Sequence, residues 1–526
     1  MALFENGAMA FLKDRLKLDA AIGQQIKSSF TADDIKHVYI RQTHADIPFA
    51  NAVANVAFNG EDKVVAFGSS FVEPSSIAPP KPTISFADAI ATAESTLSGK
   101  YTGSPMALRY VISKDNHAAL AYSMHIRNEQ KGTWVDAFVD AHSGKVIHIV
   151  NFVQQAAYLA LPITKQSLTE GFKLIVNPQD KRNSPLGWHS TGNKTFTGNN
   201  AIAFLGNNLN AVTNQSSSGL RFEYRHSADI EPTAGYNIDA ARTNAFYVVN
   251  ILHDIWYRYG FTEKAFNFQQ NNFGKGGAEN DPVQISVQST LGVDNAAFST
   301  PPDGMPGTMF MFLWDLTTPM RDGALENDIV THENTHGLTS RLTGGGTADC
   351  LFALESLGLA EGWSDAMANW MEQDSANVRD FVLGAYVTNS GAGVRSHPYS
   401  TDAKVNPLRY SSIAGMHEPH SIGEVWANML HNVLAELVKA HGWSKNARTN
   451  PNGKKGNTIF LHLFMDGLAL QPCNPSFVDA RDAIIQADAN RYKGAHTCLL
   501  WKVFASKGLG LKAANQTDND AVPEGC

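Results

Sequence analysis

Asp328 to Gly345 reads DIVTHENTHGLTSRLTGG, and both the fold and the chemistry of the chain follow from it. Inside it, His332-Glu333-Asn334-Thr335-His336 sets two histidines four residues apart. On a helix four residues make just over one turn, so both imidazoles leave one face and can share a tetrahedral metal. Glu333 lies one step round from His332, within reach of a metal-bound water rather than of the metal. The spacing predicts a helix from about Glu326 to Leu342, stopped by Gly344-Gly345-Gly346. With 18 histidines in 526 residues the pattern arises by accident at roughly a few per cent, two surface histidines on an amphipathic helix being the plain alternative.

The context decides between them. Catalytic zinc takes three protein ligands and keeps one position for water. Glu361-Gly362-Trp363-Ser364-Asp365 follows His336 by 25 residues and sets two carboxylates at i and i+4 on a second helix. Glu361 can ligate the metal, and Asp365 can accept from the distal N–H of a ligand histidine, fixing its tautomer. Alone such a pair is a solvated helix face. Behind H-E-x-x-H it is a strong joint signal.

These two motifs together resemble the fungalysin family, secreted fungal zinc metalloendopeptidases of the thermolysin-like gluzincin group. Further stretches extend the resemblance: HDIWYRYGF at His253 to Phe261, FQQNNFGKGGAENDPVQ at Phe268 to Gln284 and DNAAFSTPPDG at Asp294 to Gly304. HPYSTDAKVNP at His397 to Pro407, HSIGEVWA at His420 to Ala427 and PCNPSFVDARDAIIQAD at Pro472 to Asp488 complete it. The first segment resembles the family's propeptide in YIRQ at Tyr39 to Gln42, NAVANV at Asn51 to Val56 and FGSSFV at Phe67 to Val72. Asn334 departs from the family, which usually carries an aromatic residue there; altered packing is expected, not inactivity.

The resemblance implies one zinc ion held by His332, His336 and Glu361, with Asp365 behind. Glu333 is then the general base for a zinc-activated water, and His420 the second stabiliser of the tetrahedral oxyanion. Asn295 and Ala296 resemble the edge strand that aligns the substrate in thermolysin-like enzymes, an extended peptide adding there as a strand. The position where that group carries an assisting tyrosine is Phe352, leaving Tyr399 and Tyr410 as candidates. Arg341 binds a substrate carbonyl or pairs with Asp328. The clan also uses calcium, but no contiguous D-x-D-x-D-G loop assigns it a site.

Composition narrows the alternatives. The chain has 42 Lys+Arg against 50 Asp+Glu, a formal net charge of −8, and no basic block, which argues against nucleic acid as a partner. No apolar run approaches the roughly 18–20 residues of a membrane span. Met1 to Leu18 carries Glu5, Lys13, Asp14, Arg15 and Lys17 and lacks the clean apolar stretch of a secretory leader. Secretion is therefore implied by the resemblance alone, as is a monomer acting on protein and peptide substrates, its propeptide the intramolecular inhibitor.

The fold expected is α+β: a β-rich propeptide, then a two-lobed thermolysin-like zincin catalytic domain with a mainly helical C-terminal lobe. The boundaries are 1–155 for the propeptide, 156–340 for the lobe ending in the zinc-binding helix, and 341–526 for the helical lobe. Asn59-Gly60 predicts a hairpin turn, Phe86 to Leu97 a helix, and Leu120 to Ile126 a half-buried strand. Helices are also expected at Ala241 to Tyr259, around Ile422 to Leu437, at Phe477 to Ala489 and at Leu499 to Phe504. Family analogy places the activating cut near Gln155-Ala156.

Cys350, Cys473, Cys498 and Cys526 allow three pairings, and the resemblance implies Cys473–Cys498 and Cys350–Cys526. Asn193, Asn214 and Asn515 open glycosylation triplets and lend mild support to secretion. Two competing readings remain. A zinc aminopeptidase would use the same ligands but needs an acidic group to hold the substrate's amino terminus. A catalytically silent binding protein on this scaffold is disfavoured by the intact set of site residues.

Overall fold

The computed structural model describes residues 3–18, 22–32, 35–128, 133–151, 156–189 and 194–526. The chain divides into two compact units, Met1–Gln154 and Gln155–Cys526.

In the first unit, strands Gly23–Ala32, Ile35–His44, Ile47–Phe58, Ala107–Ile112, His117–Asn128, Thr133–Asp140 and Val146–Asn151 lie side by side in that order. Strand Val64–Ser69 folds back on Ile47–Phe58 through the expected turn, where Asn59 Oδ1 accepts from the N–H groups of Glu61 and Lys63. Helix α1 (Leu3–Leu16) buries Ala8 and Leu12 with Val38, Ile40 and Phe58. Helix α2 (Phe86–Leu97) starts where Ser85 accepts from Asp88 N–H, and it buries Ala89 and Ala93 in one core with Leu120, Tyr122, Met124 and Ile126. The strand carrying those four residues is buried on both faces rather than one. Ala119, Ala121 and Ser123 on its other side are small enough to be covered as well.

The second unit opens on β structure. Its five-stranded sheet runs Asn208–Val212, Ala201–Leu205, Val283–Val287, Thr308–Met311, Ala296–Ser299, the last being an edge strand. Helix α3 (Asn237–Arg258) packs on this sheet, beginning four residues earlier than the apolar spacing indicated. Helix α4 (Asn327–Leu342) carries the H-E-x-x-H stretch and ends before Gly344, Gly345 and Gly346, all of which adopt positive φ. It lies tight against the edge strand: a Cβ on Gly337 would come within 2.9 Å of the Phe298 ring.

Helices dominate thereafter: α5 (Leu354–Glu372), α6 (Pro419–His441), α7 (Gly456–Leu470), α8 (Phe477–Tyr492) and α9 (Thr497–Ser506). The pattern did not reveal α7, because Ile459, Phe460, Leu461, Leu463 and Phe464 bury it on every side and leave no polar face to set a period. Trp363 of α5 packs edge-on to Trp426 of α6 and Phe464 of α7. Among the described residues no helix is long and apolar enough to cross a membrane.

The disulfides are Cys350–Cys473 and Cys498–Cys526, with Cα–Cα distances of 4.4 and 5.0 Å, and this corrects the expected pairing. Cys473 precedes α8 and Cys498 follows it. A 16-residue helix is about 24 Å long, far beyond the reach of one disulfide. Cys350, just before α5, meets Cys473, just before α8, where Asn474 N–H donates to the Cys350 carbonyl. Asn214 and Asn515 are exposed, whereas Asn193 and Gln155 lie outside the described residues.

Candidate active site

Two glycines set the depth of the site. On α5 and α6, a Cβ at Gly362 would fall 2.6 Å from the Gly423 carbonyl oxygen, and one at Gly423 would fall 2.5 Å from Glu361 Cβ. Only with both glycines do the helices approach closely enough to bring Glu361 beneath the first turn of α6. From the other side α4 presents His332 and His336 to it.

The three side chains meet. His332 Nε2 and His336 Nε2 are 3.1 Å apart, and the Glu361 oxygens lie 3.1 Å from the former and 3.5 Å from the latter. One ligand atom from each of the three falls within 4.8 Å of the others, enough to hold one metal ion. Glu361 Oε2 is buried and, despite the nearby His332 nitrogen, accepts no aligned hydrogen bond. Such an orphaned oxygen beside two facing imidazole nitrogens fits a cation held between them, and the N, N, O donor set suits zinc.

Asp365 stands behind His332, with Oδ1 2.6 Å from His332 Nδ1. As the carboxylate can only accept, an Nδ1 proton points to Asp365, which leaves Nε2, facing Glu361 and His336, as the ring nitrogen able to ligate a metal in exchange for its own proton. Two further donors were not foreseen. Arg395 forks onto Asp365 at 2.8 and 3.0 Å, and the Tyr399 hydroxyl donates to Asp365 Oδ2. Burial alone would raise the Asp365 pKa, but Arg395 and His332 hold it well below the usual range. Burial alone would likewise lower His332, yet Asp365 and Glu361 carry it up to about 10. His336 faces less compensation, and burial takes it down to about 4, neutral at ordinary pH.

Glu333 borders a cavity of about 380 Å³ together with His332, Arg395, His420, Asn295 and Ala296. Burial pushes its carboxyl up to about 7, with His332 opposing and Glu361 assisting the rise. His420 sits in the first turn of α6, its Nε2 3.4 Å from Glu361 Oε2 and its Nδ1 2.5 Å from Glu418 Oε1. Glu418 also caps the helix, accepting from the N–H groups of His420 and Ser421. Asn295 and Ala296 thus fall on the same cavity as Glu333, at the free edge of the sheet.

Other expectations do not hold. Tyr399 serves Asp365, and the Tyr410 hydroxyl accepts from Gln516 N–H, so neither borders the cavity. Arg341 is buried in a salt bridge with Asp281 and Asp303 and donates to the carbonyls of Pro301 and Met305, fastening the 301–305 loop to α4. It neither pairs with Asp328 nor faces the cavity. Asp328 accepts instead from Gln166 and from Gly384 N–H. Asn334 is buried, and its Oδ1 has no partner.

The profile of the fungalysin metallopeptidases matches residues 157–513, and that of the fungalysin/thermolysin propeptide motif matches residues 24–71. An extracellular metalloproteinase of Aspergillus fumigatus is 38% identical over 93% of this chain and 84% of its own length. One of Trichophyton rubrum is 38% identical over 94% and 84%. A third, from Arthroderma otae, is 39% identical over 94% and 85%. With the family profile spanning the unit that holds the His332, His336 and Glu361 cluster, the chain belongs to the fungalysin metallopeptidases and carries their propeptide motif.

Proposed function

We propose that this metallopeptidase is a secreted, monomeric zinc endopeptidase made as a zymogen, which hydrolyses internal peptide bonds of proteins. The observation that carries the reading is the convergence of the His332, His336 and Glu361 donor atoms beside Glu333 on one open cavity. Secretion rests on the relatives named extracellular metalloproteinases. In this reading residues 1–155 are the removable inhibitor, 156–340 the lobe ending in the metal helix, and 341–526 the helical lobe.

Bound by these three residues, zinc would polarise the scissile carbonyl and acidify a water. The protein's own groups do the rest. Glu333, in a site that burial makes hospitable to a proton, takes one from the attacking water and returns it to the leaving amine. His420 turns Nε2 towards the developing oxyanion while Glu418 holds its other nitrogen. Asp365 keeps the His332 lone pair aimed at the metal. Backbone groups at Asn295 and Ala296 align the peptide as an added strand.

The test is metal analysis with casein hydrolysis. One zinc per chain is expected, with activity lost to a chelator and restored by zinc. Activity that survives metal removal would defeat the reading. N-acetylated peptides should be cut as well as free ones, whereas an aminopeptidase would spare them. His420→Ala is expected to lower kcat by about 10²–10³-fold with little change in KM, as for loss of an oxyanion donor. An unchanged kcat removes His420 from the reaction.

A further inference from the structure

The face of α5 that carries Glu361 does not end at the metal cluster. Leu357 and Leu354 precede Glu361 by four and seven residues, so they leave α5 on nearly the same face, about 6 and 10 Å further out. Both are unusually open for leucines in so buried a helix, 37% and 40% exposed. Phe352, in the loop leading into α5, is 68% exposed. Together they form an apolar strip running outward from Glu361.

That strip is held firmly. Cys350 is bonded to Cys473, and Asn474 Oδ1 accepts from the N–H groups of Phe352 at 2.8 Å and Ala353 at 2.9 Å. A third donor, Ser356 Oγ, reaches the same oxygen at 3.2 Å. One side chain thus ties down both the loop and the first turn of α5. The strip also adjoins the helix that bears His420: a Cβ on Gly358, next to Leu357, would fall 2.2 Å from Ile422 Cγ2 and 3.3 Å from the Pro419 carbonyl. Leu357 therefore lies one helical turn out from Glu361, where α5 runs against the first turn of the helix that bears His420.

We propose that Phe352, Leu354 and Leu357 form an extended subsite that receives an apolar side chain of the polypeptide being cleaved, two to three residues from the scissile bond. The distance sets the position. An extended chain advances about 3.3 Å per residue, so 6 to 10 Å from Glu361 corresponds to two or three residues. The occupant follows from the strip's place on the α5 face that carries Glu361, one and two turns away and beside the helix that bears His420, and from its chemistry: apolar side chains held on a helix and a tied loop lose little freedom when covered. The inference rests on the peptidase reading and adds to it a specificity determinant.

The test uses the mature enzyme and quenched peptides of equal length, with Leu or Ser at each position from four residues before to four after the cleaved bond. Wild-type enzyme is expected to prefer Leu to Ser by about tenfold at one position two or three residues from that bond, chiefly through KM. In Phe352→Ser/Leu357→Ser that ratio should fall to about one, and Phe352→Trp should retain it. Leu511→Ser, exposed elsewhere on the unit, should keep the wild-type preference. Urea unfolding confirms that each variant is folded. A double variant that keeps the wild-type preference, or loses rate equally on every peptide, overturns the proposal. Wild-type enzyme that cuts no peptide would overturn the peptidase reading, a distinct result.

Discussion

Glu333→Gln is expected to yield a folded protein that binds zinc with the wild-type stoichiometry and hydrolyses peptides about 10³–10⁴-fold more slowly. The substitution keeps shape and hydrogen-bonding size but removes the carboxylate that α4 places beside the cavity, the group left to accept a proton when His332 and His336 hold the metal. General base and general acid assistance each contribute about 10²–10⁴-fold in enzymes, and here one carboxylate supplies both, so their loss is felt together. Stability should not suffer. Glu333 is only 6% exposed, and an amide is less costly to bury than a carboxylate. Three measurements decide the matter: kcat on a peptide substrate, zinc per chain, and the urea midpoint. Wild-type turnover would refute the general-base role. Lost zinc, or a lowered midpoint, would mean instead that Glu333 supports the metal site or the fold.

What the sequence could disclose follows the range of the interactions. His332, Glu333 and His336 sit within one helical turn, so their shared face is readable from spacing alone, and Glu361 with Asp365 is readable in the same way. Joining the two pairs needed the recognition that such motifs occur together, because the contact of α4 with α5 is tertiary. Arg395 was missed for the same reason: nothing local marks it, yet it reaches back 30 residues to Asp365. For Arg341 neither a substrate carbonyl nor Asp328 proved the partner, because its carboxylates come from 38 and 60 residues away. The disulfide pairing depends on tertiary placement: α8 separates Cys473 from Cys498, which lies in the first turn of α9 and meets Cys526 there, and no local pattern records that. Gly362 and Gly423 belong to the same lesson. A glycine in a helix reads as a weakness, yet these two permit the close crossing that places Glu361.

Asp365→Asn is expected to weaken zinc binding by about 10–100-fold and to lower the stability of the metal-free protein by roughly 3–5 kcal/mol. The two effects have separate causes. Asp365 is fully buried and meets donors from His332, Arg395 and Tyr399. An asparagine keeps one acceptor oxygen and turns two N–H donors toward this same set of donors. If the oxygen serves His332, the Arg395 guanidinium, itself only 8% exposed, is left with an N–H group opposite it and Glu361 at 3.9 Å. If the oxygen serves Arg395, the His332 tautomer is no longer fixed and Nε2 can carry the proton. Either outcome harms the metal site, the first by drawing Arg395 towards Glu361, the second by blocking a ligand. Adding Arg395→Met separates them. In Asp365→Asn/Arg395→Met the unpaired guanidinium is gone, so most of the lost stability should return while zinc affinity stays low. Urea unfolding in chelator reports the first quantity and competition with a metallochromic indicator the second. Tyr399→Phe removes one donor and should cost only about 1 kcal/mol, with zinc affinity nearly unchanged. Unaltered zinc affinity in Asp365→Asn would show that metal binding does not depend on the orientation of His332.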